Sequence, residues 1–258
     1  MLNLKQIEEY YPKNLRAFKK NILREYLQYK ILEIIFNSKV VNKLSFLGGT
    51  ALRIIYNNTR FSEDLDFDNF GLTQEEFTLL SKEVENGLIK QGYKAQIRNI
   101  FKGVYRCYIK IPKILFDNDL SGFEEEKIMI QIDTLSHNFK YKPDKKILNK
   151  FDVFTQINIT PSSILLSQKI YAILNRKRAK GRDFFDVIFL LQKTKPNYKY
   201  LKMKINIDNN VELKKLLLDC VKKIKIDEII KDVKPFLFNP SDSEKIKMFE
   251  KYITQINL

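Results

Sequence analysis

The stretch that decides the fold runs from Phe46 to Asp68 and reads FLGGTALRIIYNNTRFSEDLDFD. An apolar run ends in two glycines, and Thr50 then opens a segment whose apolar residues have helical spacing. This pattern predicts a strand, a tight turn and the N-terminus of a helix. Glycines let a backbone come close to a ligand, and the free N–H groups of a first helical turn attract anions.

Beyond this helix, Asp64 and Asp66 alternate with Leu65 and Phe67. Alternate residues of a strand share a face, so both carboxylates are predicted to point the same way. Neighbouring carboxylates repel each other unless a cation lies between them, and Mg²⁺ or Mn²⁺ suits oxygen ligands. A glycine turn or an acidic strand alone has an ordinary structural explanation. The two joined by one helix favour a site for a nucleoside triphosphate (NTP) and its metal.

These residues resemble the AbiEii/AbiGii family of nucleotidyltransferase toxins, in the DNA polymerase β-like nucleotidyltransferase superfamily. The resemblance rests on the segments GGTAL (48–52) and RFSEDLDF (60–67). It implies the toxin of a bacterial toxin–antitoxin system, which moves NMP from an NTP to an acceptor hydroxyl. The superfamily's usual Gly-Ser is here Gly48-Gly49. That departure leaves the phosphate contact to backbone amides and to Thr50 or Ser62.

A third carboxylate is the next feature that the resemblance implies. The segment 127–134 is predicted to be a central strand, and Asp133 lies at its polar end. Three carboxylates and the triphosphate oxygens would complete two metal shells for in-line phosphoryl transfer. Asp64, Asp66 and Asp133 are therefore the expected metal ligands. An Asp at the end of a strand is also a common turn residue, so a structural role for Asp133 stays open.

A second group of residues matches the family pattern Lys-x-x-Ala-x-x-x-Arg…Arg-Asp-x-x-Asp. Lys169 lies on a predicted helix among apolar residues, and Asp183 and Asp186 share a face at the start of the next helix. The resemblance implies that Lys169 contacts the triphosphate and that Asp183 completes the site by orienting or deprotonating the acceptor hydroxyl. A lysine at the core edge and acidic residues at a helix N-terminus also occur without function.

A run of cations lies between these two helices, and it consists of Arg176, Lys177, Arg178, Lys180 and Arg182. Such a run either binds the backbone of an acceptor RNA or is a solvated helix end. The net charge of +15 favours polyanionic partners, although a general lysine bias also contributes.

Several classes of site are excluded by composition. Cys107 and Cys220 are far apart, so both are expected to be buried thiols and not a disulfide or metal pair. The single histidine, His137, cannot complete a zinc cluster with them. The sequence contains no apolar run of about 18 residues and opens without an apolar leader. A cytoplasmic protein without a membrane segment is expected.

The fold class predicted from these patterns is α+β, with a small mixed sheet flanked by helices and then a helical domain. A nucleotidyltransferase domain is expected over residues 1–159, and a helical domain that completes the active-site cleft over 160–258. A short amphipathic segment is expected at 4–11, and helices are predicted at 14–37, 73–90, 164–177, 183–193 and 211–233, with a last one capped at Ser241. The helix at 73–90 is predicted to open with a capping box of Thr73 and Glu76. The helix that contains 164–177 is predicted to start with Thr160 at the cap and Pro161 at the first position. Strands are predicted at 44–47, 93–101, 104–111, 127–134 and 153–159, whereas 140–152 is predicted to be irregular.

The reaction implied by the resemblance is Mg²⁺-dependent NMP transfer to RNA, with the 3′ ends of tRNA favoured and a cognate antitoxin as partner. A protein side chain or a small molecule as acceptor stays open. The alternative function is a non-catalytic, basic nucleic-acid-binding protein that retains the nucleotidyltransferase fold.

Overall fold

The computed structural model describes residues 2–258, which fall into two compact units. The first unit runs through Ala51 and also includes Phe61–Asn138 and Lys142–Ile159. The second unit comprises Leu52–Arg60, Phe139–Tyr141 and Thr160–Leu258. Residues 160–258 therefore make up most of the second unit. The larger part of one helix near residue 52 also belongs to this unit.

The first unit is built on one mixed sheet of seven strands. In spatial order the strands are β3-β4-β5-β2-β1-β7-β6. The β2–β5 and β1–β7 pairs are parallel and the other pairs are antiparallel. The strands are β1 (Leu44–Leu47), β2 (Leu65–Asn69), β3 (Gln96–Phe101), β4 (Tyr105–Ile111), β5 (Ile128–Leu135), β6 (Asp144–Lys150) and β7 (Val153–Ile159). The mixed α/β architecture predicted from the sequence is confirmed.

One face of this sheet is covered by helices α2 (Lys19–Phe36) and α4 (Gln74–Lys90), and a short helix, α1 (Leu4–Glu9), packs on α2. Buried and more exposed residues alternate along β5 and along β4 from Arg106 onward, and Cys107, Ile109 and Ile130 are among the buried ones. Helix α4 starts at the predicted capping box, in which the side chains of Thr73 and Glu76 each accept from the other residue's N–H. Helix α2 is buried on most of its surface because it packs on both the sheet and α4.

The second unit is helical. Helix α3 (Gly48–Tyr56) starts in the first unit and ends in the second. The remaining helices are α5 (Ser162–Asn175), α6 (Gly181–Leu191), α7 (Tyr198–Ile205), α8 (Asn210–Val221), α9 (Ile226–Val233) and α10 (Phe249–Gln255). Among residues 2–258, no helix has both the length and the apolar character that crossing a bilayer requires.

Two predictions in the first unit are wrong. Residues 144–150 are not irregular but form the edge strand β6, paired with β7 over its whole length. Only Leu148 of this strand is buried, so its sequence carries no alternation to reveal it. The helix predicted from residue 14 begins instead at Lys19, after a 3₁₀ turn over Lys13–Leu15.

The helical part also differs from the prediction. The segment 211–233 forms two helices separated by a turn, and α7 was not predicted. Helix α5 starts at Ser162 without a cap from Thr160, whose hydroxyl is 2.8 Å from that of Tyr141. The predicted last helix is a 3₁₀ segment, Pro240–Met248, capped by Asn239, and α10 follows it.

Both cysteines are free thiols, as predicted. Burial raises the pKa of the Cys107 thiol to about 11, so it is protonated at neutral pH. Cys220 is only half-buried, so the prediction of a buried thiol is wrong for this residue.

Candidate active site

Gly48 lies at the junction of β1 and α3, directly against Asp66. Its φ of +79° is a left-handed conformation, and a Cβ added there would collide with Oδ2 of Asp66 and lie 2.9 Å from its carboxyl carbon. The pairing of Leu47 with Asp66 across β1 and β2 explains this closeness. Only glycine therefore allows the Asp66 carboxylate to lie against the start of α3, where the N–H groups lack helical partners.

The acidic loop before β2 is held from two sides within the first unit. The hydroxyl of Thr50 donates a hydrogen bond to the carbonyl of Asp64. The buried Gln28 of α2 donates from Nε2 to the carbonyls of Ser62 and Glu63, at 3.0 and 2.9 Å. The Thr50 hydroxyl, expected near phosphate, thus positions the loop that carries Asp64.

The alternation predicted for β2 is present. Leu65 and Phe67 are buried, whereas Asp64 and Asp66 are half-buried. Asp68 continues the acidic series but is only 1% exposed, and its Oδ1 accepts a 2.9 Å hydrogen bond from the N–H of His137. Asp64 lies just before β2, so the two acids of the strand are Asp66 and Asp68, and Asp68 fixes the chain after β5.

Asp133 is the neighbour of Asp66 in the parallel β2–β5 pair, so the two side chains share a face of the sheet. Its carboxylate, however, forms a two-point ion pair with Arg106 of β4, at 2.7 and 2.8 Å. Gln131 Nε2 donates to the same carboxylate at 2.8 Å. The hydrogen bonds from Arg106 to Asp133 further raise the pKa of that guanidinium, which stays charged.

The implied divalent cation needs oxygen donors from the protein. Within residues 2–258, no three His, Cys, Asp or Glu side chains lie together in an arrangement that could hold a metal ion. Asp64 and Asp66 offer carboxylate oxygens two residues apart, which is the kind of donor that Mg²⁺ prefers. These two residues fit the metal if triphosphate oxygens and water complete its shell, whereas Asp133 is paired with Arg106.

The second group of predicted residues forms a buried ion cluster inside the second unit. Lys169 Nζ lies 3.0 Å from Asp183 and 2.9 Å from Asp186. Asp186 is fully buried and accepts hydrogen bonds from Arg60 Nε at 2.7 Å and Nη2 at 2.6 Å. Asn58 Nδ2 donates to it at 2.8 Å. We call these five residues the Lys169 cluster.

Two pKa values in the Lys169 cluster follow from this balance of charge. Burial by itself lowers the pKa of Lys169, but the carboxylates of Asp186 and Asp183 outweigh burial and leave that pKa above its usual value. Burial raises the pKa of Asp186, but Arg60 and Lys169 outweigh it and leave that pKa below its usual value. Lys169 and Asp186 are therefore both ionised at neutral pH.

The cations of the predicted basic run have different surroundings. Arg176 Nε lies 3.1 Å from Asp183, and Lys180 Nζ lies 3.7 Å from Asp232. The guanidinium of Arg182 lies 4.5 Å from the centre of the Phe236 ring. Lys177 and Arg178 are exposed, and the described part of the chain shows no ion pair for either of them.

A comparison with protein families gives a match over most of the chain. The family described as "nucleotidyl transferase AbiEii toxin, type IV toxin–antitoxin system" matches residues 30–251. The chain belongs to the AbiEii nucleotidyltransferase toxin family. The resemblance found in the sequence motifs is confirmed.

Solved structures share the fold of this AbiEii-family chain. MenT4, a nucleotidyltransferase toxin of Mycobacterium tuberculosis, matches with a TM-score of 0.61 and 12% identity, covering 99% of this chain and 91% of its own. JHP933 from Helicobacter pylori matches with a TM-score of 0.56 and 17% identity, covering 91% of each chain. No curated protein matches the sequence significantly.

Some residues around the AbiEii motifs were not predicted. Arg106 was missed because nothing near it in the sequence indicates that β4 places it opposite Asp133. The sequence motif assigned no role to Arg60, yet this residue is 1% exposed and bound to Asp186. The sequence carries no clear signal for this burial, because most arginines beside acidic residues lie at the surface.

Proposed function

We propose that this AbiEii-family protein transfers NMP from an NTP to a 3′ hydroxyl of RNA, in the cytoplasm, and thereby inhibits growth until a cognate antitoxin counteracts it. The observation that carries the proposal is the contact between the Gly48 turn and Asp66. It puts a carboxylate at the N-terminus of a helix, where N–H groups favour anionic ligands. A carboxylate at an anion site is consistent with a phosphate ligand that brings its own cation.

The proposed site in the first unit has two parts. Asp64 and Asp66 would hold Mg²⁺ or Mn²⁺, and the backbone amides of Gly48, Gly49 and Thr50, with Ser62, would contact the triphosphate. Mg²⁺ held there would supply positive charge for the phosphate oxygens. Asp133 would join the ligands when Arg106 releases it, and the anionic triphosphate is a natural alternative partner for that guanidinium.

In the second unit, Lys169 is proposed to offset the negative charge of the departing pyrophosphate. Asp183 is proposed to orient the acceptor hydroxyl, whose oxygen attacks the α-phosphorus. Their ion pair of 3.0 Å holds both side chains in a fixed geometry before substrate arrives. RNA is the proposed acceptor because the chain carries a net charge of +15. The 3′ ends of tRNA are the favoured candidates.

The test is incubation of the purified protein with each labelled NTP, total RNA and Mg²⁺, beside the Asp66→Asn variant. The proposal predicts that label from at least one NTP enters RNA, that EDTA stops this, and that Asp66→Asn does not label RNA. RNA retardation without any transfer would support the alternative, a non-catalytic binding protein. Label in protein or in a small molecule would keep the enzyme and reject the RNA acceptor.

A further inference from the structure

The face of strands β3–β5 that carries Asp133 is open to solvent. The helices lie on the opposite face, where Phe77 of α4 packs on Phe101 and Tyr105 and where Cys107 and Ile109 are buried. Because side chains alternate along a strand, the residues between those buried ones point away from the helices. The exposed side chains of Arg98 and Met129 confirm that this second face is uncovered.

The strand register arranges this open face in three rows. The first row joins Arg106 to Asp133 and then to Asp66, the proposed metal ligand. Successive rows along a strand are about 7 Å apart. The second row consists of Arg98, Tyr108 and Gln131, and the third of Gln96, Lys110 and Met129. We call the second and third rows the open platform.

The chemistry of the open platform fits a polyanion with exposed bases. Its charged side chains, Arg98 and Lys110, are both positive. The only carboxylate in the adjoining part of the first row, Asp133, is already paired with Arg106. Tyr108 is half-exposed, and its ring centre lies 6.0 Å from the Arg106 guanidinium. Cations bind phosphates, an aromatic ring stacks on unpaired bases, and a Met side chain adds apolar contact.

We propose that the open platform binds a single-stranded segment of RNA and leads it toward Asp66. This inference rests on the proposed function for the identity of the polyanion. A single strand is favoured over a duplex because base-paired RNA buries its base faces and is bound through phosphates and 2′ hydroxyls. If a duplex were bound, the ring of Tyr108 and the side chain of Met129 would have no unpaired base to contact.

The test measures binding of a short fluorescein-labelled single-stranded RNA by anisotropy across a salt series, without NTP or metal. Arg98→Ala/Lys110→Ala should weaken binding and reduce the log–log salt slope by about 1.4, or roughly 0.7 for each lost phosphate contact. The matched control is Lys145→Ala/Lys146→Ala, which removes two exposed cations from the other edge of the same sheet. The control should bind RNA as the wild type does.

A second pair of variants tests the stacking contact. Tyr108→Leu should weaken single-strand binding about tenfold and leave the salt slope and the binding of the same sequence in a duplex unchanged. Phe154→Leu, which removes an aromatic ring that is 72% exposed on β7, should have no effect. Circular dichroism and thermal melts of all four variants establish that each one is folded.

Four results would overturn the proposal. Equal losses in both cation variants would show that charge acts without a specific surface. A loss in neither variant would show that Arg98 and Lys110 do not bind RNA. A Tyr108→Leu variant with unchanged single-strand binding would remove the case for unpaired bases. Weaker NTP binding with unchanged RNA binding in Arg98→Ala/Lys110→Ala would make the platform a nucleotide site. Platform-specific RNA binding without NMP transfer would leave this inference standing and reject the proposed enzyme.

Discussion

At the scale of single residues, Gly48 is required for two separate reasons, its positive φ and its contact with Asp66. Comparison with Gly71 separates these two reasons. The φ of Gly71, +86°, is similar, but no atom lies within 4 Å of a Cβ added there. Gly48→Ala and Gly71→Ala should each lose about 1–2 kcal/mol of unfolding free energy from the left-handed backbone. Only Gly48→Ala should also lose NMP transfer, because Asp66 has to move.

Chemical denaturation and labelled-NTP transfer on both variants check this prediction. If Gly48→Ala keeps the transfer rate of Gly71→Ala, the contact with Asp66 has no part in the reaction.

The ion pair of Asp133 with Arg106 leads to the second prediction for single residues. One carboxylate cannot fully bind a guanidinium and a metal ion at the same time. If Asp133 is the third ligand, Arg106→Gln should free it and lower the Mg²⁺ concentration needed for half-maximal transfer. Asp133→Asn should raise that concentration and cut transfer, on the order of 100-fold. Mg²⁺ titrations of transfer by both variants provide the measurement.

If Asp133 has only a structural role, the two variants will behave differently from this expectation in stability and Mg²⁺ dependence. In that case Asp133→Asn and Arg106→Gln lower thermal stability similarly, and the Mg²⁺ dependence of both variants matches the wild type.

At the scale of elements, the Lys169 cluster ties the segment after α3 to helices α5 and α6. Asp186→Asn would remove the carboxylate shared by Arg60 and Lys169 and leave both cations in a buried site. The expected loss is about 3–5 kcal/mol of unfolding free energy, measured by denaturant titration. The control is Asp208→Asn, which breaks the exposed pair of Asp208 with Lys202 and should cause no measurable loss.

The pH dependence of stability follows from the same cluster. The Asp186 pKa is lowered on folding, so its contribution is present above the unfolded value of about 3.9 and is lost as pH falls through the folded value. The Lys169 pKa is raised, so its contribution is present below about 10.4 and is lost as pH rises through the folded value. The stability difference between wild type and Lys169→Met should therefore be constant near neutrality and shrink in strong alkali. A difference that already changes between pH 6 and 8 would contradict this assignment.

At the scale of the whole molecule, ligand binding should appear as added stability, because a ligand that binds only the folded state shifts the unfolding equilibrium. With Mg²⁺ and a non-hydrolysable NTP analogue at about 100 times the dissociation constant, the gain is about 2.7 kcal/mol. Thermal melts should show this gain for the wild type and lose it for Asp64→Asn and Asp66→Asn. An equal gain in these variants would remove both residues from the proposed metal site.

The net charge of +15 leads to a second prediction at this scale. Lys177 and Arg178 are exposed and have no ion pair in the described part of the chain, whereas Arg176 and Lys180 have carboxylate partners. Lys177→Ala/Arg178→Ala should therefore weaken RNA binding and flatten its salt slope by about 0.7 per lost contact, with NTP binding unchanged. Replacement of Lys180 alone should leave the slope as it is. Measured affinities for RNA and for NTP across a salt series check this prediction.

The sequence by itself determined the local features of this protein. The glycine turn between β1 and α3, the alternating acids of β2 and the capping box of α4 are set by residues a few positions apart, and all three are present in the structure. Such features depend on backbone conformation and side-chain period, which neighbouring residues control. The segments GGTAL and RFSEDLDF were enough to indicate the AbiEii family, which the family match confirms.

Only the tertiary structure decided which charges meet. Asp133 is paired with Arg106, 27 positions earlier, and Asp186 with Arg60, 126 positions earlier, and these partners depend on strand register and helix packing. The edge strand β6 likewise could not be predicted from the sequence, because its pairing with β7, and not an apolar pattern of its own, holds it in place. A spacing in sequence predicts the face on which a side chain lies. Which partner reaches that face depends on long-range packing, because a charge buried without a partner is too costly to leave alone.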